Sequence, residues 1–238
     1  MKVALCLSGH LRSYELTWNA LQKFIIKPLQ ADVFIHTWDT VGVSSHIDGS
    51  TTYLKTNSIL KRIYSYYEPK QIIVEPLNRT QGLQYKKFLI DKRSPIAVTN
   101  MFYKIYKADQ LRQNYLYTHD LVIRARPDLL FNAELPSECL AEAIKENCLF
   151  LPDCGHFGGV NDQFAFGSAS VMKIYSDCYN KLDELVKKAI FLPEALLKAH
   201  LLENKVPVKF FSINYTLVRS NGSVFDNKHF SPGTPELK

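Results

Sequence analysis

The sequence predicts an α/β fold: one domain with a mostly parallel central sheet in its N-terminal half and a mixed, shorter-stranded C-terminal half. Strand-like and helix-like segments alternate from the start, and strand, helix, strand fits into about 35 residues, the length of a βαβ unit with a right-handed crossover. The strand segments are continuous apolar runs, as buried strands are. Composition agrees: of 238 residues 46% are hydrophobic and 22% charged, with 10 Gly, 11 Pro and no internal repeat, which excludes disordered, collagen-like and linker-rich chains. At ~150 residues per domain this is one large domain, able to bury roughly 70% of its unfolded surface.

Residues 2–7 (KVALCL) form an apolar run closed by Ser8-Gly9, which reads as a buried strand entering a loop. A helix is expected from about Ser13 to Lys27, with Leu16, Ala20, Leu21, Phe24 and Ile25 on one face and Pro28 after its end. Asp32 then precedes Val33-Phe34-Ile35, a second buried strand. A helix over Ser58 to Tyr67, a strand over Gln71 to Glu75 and a long polar loop from Asn78 to Ser94 follow, and a loop of that length reads as functional or mobile. Asn100 to Tyr117 reads as a helix through Met101, Ile105, Ala108, Leu111 and Tyr115. A fourth strand, Leu121 to Ala125, runs into Arg126-Pro127-Asp128. Beyond it the pattern gives a helix near Ser137 to Glu146, strands near Cys148 to Leu151 and Phe164 to Phe166, and helices near Ala169 to Lys187 and Pro193 to Glu203. Strands near Val206 to Phe211 and Tyr215 to Arg219 precede a tail over 221–238.

No apolar stretch approaches the ~18 residues that span a bilayer, and Ser8-Gly9-His10 interrupts Val3 to Leu7, so neither a signal peptide nor an anchor is read. The five cysteines, Cys6, Cys139, Cys148, Cys154 and Cys178, contain no C-x-x-C pair, which indicates neither a disulfide framework nor a zinc ribbon. A reducing, cytoplasmic setting fits, with at most peripheral membrane contact, and the sequons at Asn78, Asn214 and Asn221 then carry no meaning. The net charge of +6 is uneven: residues 1–119 hold 16 basic and 8 acidic side chains, residues 120–238 hold 13 and 15. An anionic ligand is therefore expected in the N-terminal half. The basic residues are scattered and no finger or RNA-binding signature occurs, so nucleic acid is not an expected partner.

In open α/β sheets ligands bind outside the carboxyl ends of the strands, so the loops starting at Ser8, His36 and Arg126 are expected to converge. Asp120-Leu-Val-Ile-Arg-Ala-Arg-Pro-Asp-Leu-Leu-Phe131 sets Arg124, Arg126 and Asp128 at a buried strand end, where desolvation is costly unless an anion or metal binds. The bland alternative is a salt bridge that closes the strand. After the first strand, Gly9 permits close backbone approach, the helix start favours negative charge and Arg12 can reach a phosphate; an ordinary turn is the alternative, and the preferred reading for His10. The absence of G-x-G-x-x-G and of a P-loop argues against dehydrogenases and P-loop transferases. Trp38 could stack on a base and Asp39 could bind a polar edge or a sugar hydroxyl, with plain core the alternative for Trp38. Asp162, carried by Gly158-Gly159-Val160-Asn161-Asp162-Gln163 into an apolar strand, suits a general base, or else a turn carboxylate. Glu194 and His200, six apart and too far around a helix to share a metal face, are assigned to surface or packing, although His200 could face an acceptor. Arg219 could return to a diphosphate or stand exposed.

The Arg124-x-Arg126-Pro127-Asp128 strand end resembles the position of the metal-binding Asp-x-Asp motif of GT-A glycosyltransferases, which use nucleotide-sugar donors. Leu7-Ser-Gly-His-Leu-Arg-Ser-Tyr14, Asp32-Val-Phe-Ile-His-Thr-Trp-Asp39 and Asn161-Asp-Gln-Phe-Ala-Phe-Gly167 are similar to a group of these enzymes found in bacterial capsule and O-antigen clusters. The resemblance covers the chain to about Arg219 and rests on the order of the blocks. It implies a GT-A-like single domain with a Rossmann-like, nucleotide-sugar-binding half (1–131) and an acceptor and catalytic half (132–220). It also implies transfer of a sugar to a glycan or lipid-linked acceptor, with Ser8, Gly9, Arg12, Trp38, Asp39, Arg124, Arg126 and Arg219 on the donor and Asp128 and Asp162 in catalysis. Arg126 stands where the first carboxylate of Asp-x-Asp would be. Asp128 alone can hold a divalent cation, Mn or Mg, with diphosphate oxygens and water, and two guanidiniums can neutralise a diphosphate directly, so both routes stay open. A nucleotidyltransferase and a non-catalytic nucleotide- or glycan-binding module are the alternatives.

Overall fold

The apolar runs become strands of a seven-stranded sheet in the computed structural model, which describes residues 1–43, 51–53, 56–89, 94–226 and 235. In chain order the strands are β1 (Val3–Ser8), β2 (Asp32–Trp38), β3 (Thr40–Val43), β4 (Thr51–Tyr53), β5 (Gln71–Glu75), β6 (Leu121–Ala125), β7 (Leu129–Phe131), β8 (Leu149–Pro152), β9 (Phe164–Ser168), β10 (Val208–Phe211), β11 (Tyr215–Val218) and β12 (Val224–Phe225). The large sheet has the order β10-β8-β9-β6-β1-β2-β5. It is mostly parallel; β9 alone runs antiparallel to its neighbours β6 and β8. β7, β11 and β12 form a small antiparallel sheet, and β3 pairs with β4.

The helices are α1 (Tyr14–Leu21), α2 (Lys27–Leu29), α3 (Thr56–Tyr67), α4 (Pro95–Gln113), α5 (Ser137–Lys145), α6 (Ala169–Ser176), α7 (Leu182–Leu185) and α8 (Pro193–Glu203). They cover both faces of the large sheet, because alternate residues of each strand point opposite ways. Val3, Leu5 and Leu7 of β1 and Leu121, Ile123 and Ala125 of β6 join Leu21, Ile25, Ile63 and Leu140 on one face, together with Phe131, Tyr215 and Leu217 of the small sheet. On the other face Ala4, Cys6 and Val122 meet Phe102, Ile105 and Ala108 of α4, Met172 of α6, and Leu197 and Leu201 of α8. Each Val, Leu, Ile, Phe or Met side chain among them, fully buried, contributes about 1.5–3 kcal/mol relative to exposure.

Several element boundaries differ from the sequence expectations for identifiable reasons. The first helix does not stop before Pro28: α1 runs through a π segment (Gln22–Ile26) into α2, which contains Pro28 and ends at Gln30 with φ 48°. The widened π turn accommodates a proline ring that would otherwise clash with the carbonyl four residues back. The helix expected from Asn100 starts at Pro95, because Ser94 caps it by accepting from Ala97 N at 3.4 Å and Pro95 suits the first helical position. The stretch expected as one helix from Ala169 breaks into α6, a 3₁₀ turn over Asp177–Lys181 and α7. Within the expected loop Asn78 to Ser94, Leu83–Phe88 is a 3₁₀ helix and residues 90–93 lie outside the described residues, as do 227–234 and 236–238 of the tail. Cys6, Cys139, Cys148, Cys154 and Cys178 are free thiols. Among the described residues no helix is long and apolar enough to cross a membrane.

Candidate functional site

The strand order creates a switch point. From β1 the chain moves outward through β2 to β5, then returns to place β6 on the opposite side of β1. The loops leaving β1 and β6 therefore diverge around a crevice at the carboxyl edge, the usual ligand position in such sheets. Arg12 comes from the first loop, Arg126 and Asp128 from the second. Asp128 is fully buried and takes both: its Oδ1 accepts from Arg126 Nε at 2.8 Å, and its Oδ2 accepts from Arg126 Nη2 at 2.7 Å and Arg12 Nη1 at 3.1 Å. Burial would raise the Asp128 carboxyl, but the charges of Arg126 and Arg12 outweigh it and hold the group below its usual range.

The backbone around this cluster is stitched together. Val218 N donates to Asp128 O at 2.9 Å, Ser13 Oγ to Val218 O at 2.7 Å, and Thr17 Oγ1 to Pro127 O at 2.5 Å. That brings Arg219, the residue after β11, toward the other two guanidiniums. Burial lowers the Arg219 and Arg12 guanidiniums first and Arg126 lowers each further, the electrostatic sign of cations crowded together. Arg12 is held at φ 45°, in the left-handed region that a non-glycine residue enters at a cost. His10 beside it is lowered to about 4, by burial and then by Arg12, and is neutral at pH 7.

Arg126 and Arg219 open onto a pocket of about 190 Å³, completed by Phe157, Gln163, Glu194, Leu217 and Phe225. Its far wall is a knotted loop. Fully buried Asn161 donates through Nδ2 to Cys154 O at 2.7 Å and to Tyr215 Oη at 2.8 Å, and its Oδ1 accepts from Gln163 N at 2.8 Å and Phe164 N at 3.2 Å. The turn-forming role weighed for Asp162 thus belongs to Asn161. α8 closes on the same loop: Val160 N donates to Glu194 O at 3.0 Å.

Arg12, Arg126, Asp128 and Arg219 are brought together as the sequence suggested, and the assignments of several residues change. Arg124 lies 2% exposed on the opposite face of the sheet, in a small internal cavity with Cys6, Asp109 and Tyr175. Its guanidinium reaches inward to the Asp162 carbonyl oxygen, so it supports the loop instead of touching a donor. Trp38 is core, 2% exposed beneath Lys104 Nζ, 3.4 Å from its ring centroid, and presents no face to a base. Asp128 is no open strand-end acid, since it lies under two guanidiniums. Asp39 Oδ1 accepts from Leu77 N at 3.2 Å and ties the ends of β2 and β5. Ser8 is buried with its Oγ unpaired, and Gly9, at φ 114°, has open space where a side chain would project. Asp162 is 5% exposed and its charge reinforces Arg126, but it does not line the pocket. The pocket carboxylate is Glu194, 7% exposed in the first turn of α8, which the sequence reading assigned to surface or packing. Its sequence signal, an acid just after a helix-starting proline, is shared by countless capped helices.

Among the described residues no group of three or more His, Cys, Asp or Glu side chains could hold a metal ion. A family described as a domain of unknown function (DUF7796) matches residues 1–232. No curated protein matches the chain.

Proposed function

The chain belongs to the DUF7796 family, and we propose from its site that it is a glycosyltransferase, moving a sugar from a nucleotide-sugar donor to a glycan or lipid-linked glycan acceptor in surface-polysaccharide synthesis. The observation that carries the reading is a buried carboxylate paired to the guanidiniums of Arg12 and Arg126 at the β1–β6 switch point, with Arg126 and Arg219 open to a pocket. Such a cluster suits a diphosphate, whose negative charge grows as it departs. Arg126 and Arg219 hold the diphosphate, with Arg12 supporting them. The bond between the anomeric carbon and the diphosphate oxygen breaks, and its electron pair leaves with the nucleoside diphosphate. The acceptor hydroxyl oxygen bonds to the anomeric carbon, and its proton passes to a carboxylate. Glu194 fits that task better than Asp162, because it lines the pocket. Phe157 and Phe225 supply an apolar wall for the face of a sugar ring.

The test is incubation with UDP-, GDP-, CMP- and dTDP-sugars, followed by product analysis. Slow hydrolysis of one donor, lost in Arg126→Gln, is expected. Cleavage that requires added pyrophosphate would make the protein a nucleotidyltransferase, and binding without cleavage would make it a binding module. Either result sinks the proposal.

A further inference from the structure

The divalent cation that the resemblance implies does not fit the residues present. A Mn or Mg ion would have to approach a carboxylate oxygen of Asp128 to roughly 2.0–2.2 Å. Both oxygens already accept from guanidinium donors at 2.7–3.1 Å, and the residue is fully buried beneath them. An ion inserted there would displace Arg12 or Arg126 and sit among three positive side chains. The chain has instead placed positive charge covalently where a metal would have brought it. Arg12 sustains a left-handed backbone to aim at Asp128, and Arg126 is fixed by a two-point fork. Arg219 is exposed at the pocket edge, its guanidinium carbon 5.6 Å from the centre of the Phe225 ring.

We propose that Arg12, Arg126 and Arg219 form a diphosphate site that works without a divalent cation, in which Asp128 is a positioning residue that orients Arg12 and Arg126. Asp128 touches no ligand; it locks one edge of Arg126, which faces the pocket beside Arg219, and Arg12 braces Asp128 from the other side. Fixed donors lose less freedom on binding than flexible ones, and several guanidiniums match the charge of a diphosphate better than that of a single carboxylate. The inference rests on the pocket being the donor's diphosphate site.

Calorimetric titration of the whole chain with sodium pyrophosphate, first in EDTA and then with excess Mn²⁺ or Mg²⁺, tests it. Binding in EDTA as tight as with metal, or tighter, is expected. Arg126→Gln and Arg219→Gln should each weaken binding in EDTA roughly 10-fold to 150-fold, the worth of one charge-assisted contact, and Arg12→Gln, which supports them through Asp128, should weaken it by less. For the positioning role, the double variant Arg126→Gln with Asp128→Asn should lose less affinity than the two single losses combined, the remainder being the hold of Asp128 on Arg12, whereas fully additive losses would mean that Asp128 does not act through Arg126. Arg219, exposed and not paired to Asp128, keeps the test alive if Asp128→Asn fails to fold. Binding abolished by EDTA and restored by Mn²⁺ would overturn the inference and leave the transferase reading standing. No binding under either condition would overturn both.

Discussion

A β-carbon on Gly159 would come within 2.0 Å of the main-chain carbon and oxygen of Glu194, so the loop and the start of α8 can touch only because residue 159 has no side chain. The neighbour is backbone and cannot rotate away. Gly159→Ala should therefore push α8 and the loop apart at a cost of about 1–3 kcal/mol, the usual range for overpacking. For a chain of this size that lowers Tm by roughly 2–12 °C. A melt within 1 °C of wild type would mean that the contact is not close in solution.

Glu194 and Asp162 make opposite predictions under the transferase reading. Glu194→Gln should cut turnover about 10²–10⁴-fold while leaving pyrophosphate affinity intact or improved, since it removes a proton acceptor and a negative charge from the pocket. Asp162→Asn should spare turnover by comparison. Parallel measurement of kcat and of pyrophosphate Kd decides; a large kcat loss confined to Asp162→Asn would return the base to Asp162.

Arg124→Gln should weaken the fold and not the ligand site. The substitution leaves the Asp162 carbonyl without its buried guanidinium donor, a loss of about 1.5–3 kcal/mol for a charge-assisted bond. Tm should fall while pyrophosphate affinity of the folded protein stays within about twofold. A tenfold weaker Kd would place Arg124 on the ligand after all.

Acidification should destabilise the protein before its carboxylates protonate. Burial, then the charge of Lys104, holds His36 down to about 3, and burial, then Arg12, holds His10 down to about 4. Below the ordinary histidine value of ~6.5 the unfolded chain takes up protons that the folded chain refuses, so stability falls as pH drops from about 6.5 toward 4. Melts at pH 7, 6 and 5 should show the decline, and His36→Asn should flatten it. Equal slopes in both proteins would mean that His36 titrates normally in the fold.

The large sheet was legible because its strands carry apolar runs, fully buried in β6 and half-buried at the edge in β5: both occupy the residues expected of them, and α8 does too. The small sheet was only half visible, since β7 is three residues long and reads as the tail of an Arg-Pro-Asp turn. The arginine cluster could be seen at its two strand ends, while its closure over Asp128 depends on a pairing 116 residues apart in sequence. Glu194 was hidden for the same reason: its pocket draws on residues from 126 to 225, and no local pattern reports that convergence. Arg124 and Trp38 misled because residue type at a strand end does not reveal which way the side chain turns.

The chain leaves the large sheet at Ala125 and enters the small one at Leu129, with Arg126-Pro127-Asp128 as the joint. Three strands of three, four and two residues are too short to hold together alone. The small sheet and the arginine array therefore share one local unfolding equilibrium, and an opening that frees β11 also scatters the guanidiniums. An anion bound to the array closes that opening by mass action, so it should slow amide hydrogen exchange at Leu217 and Val218, whose strand carries no ligand contact of its own beyond Leu217, while exchange in β2 and β5 stays unchanged.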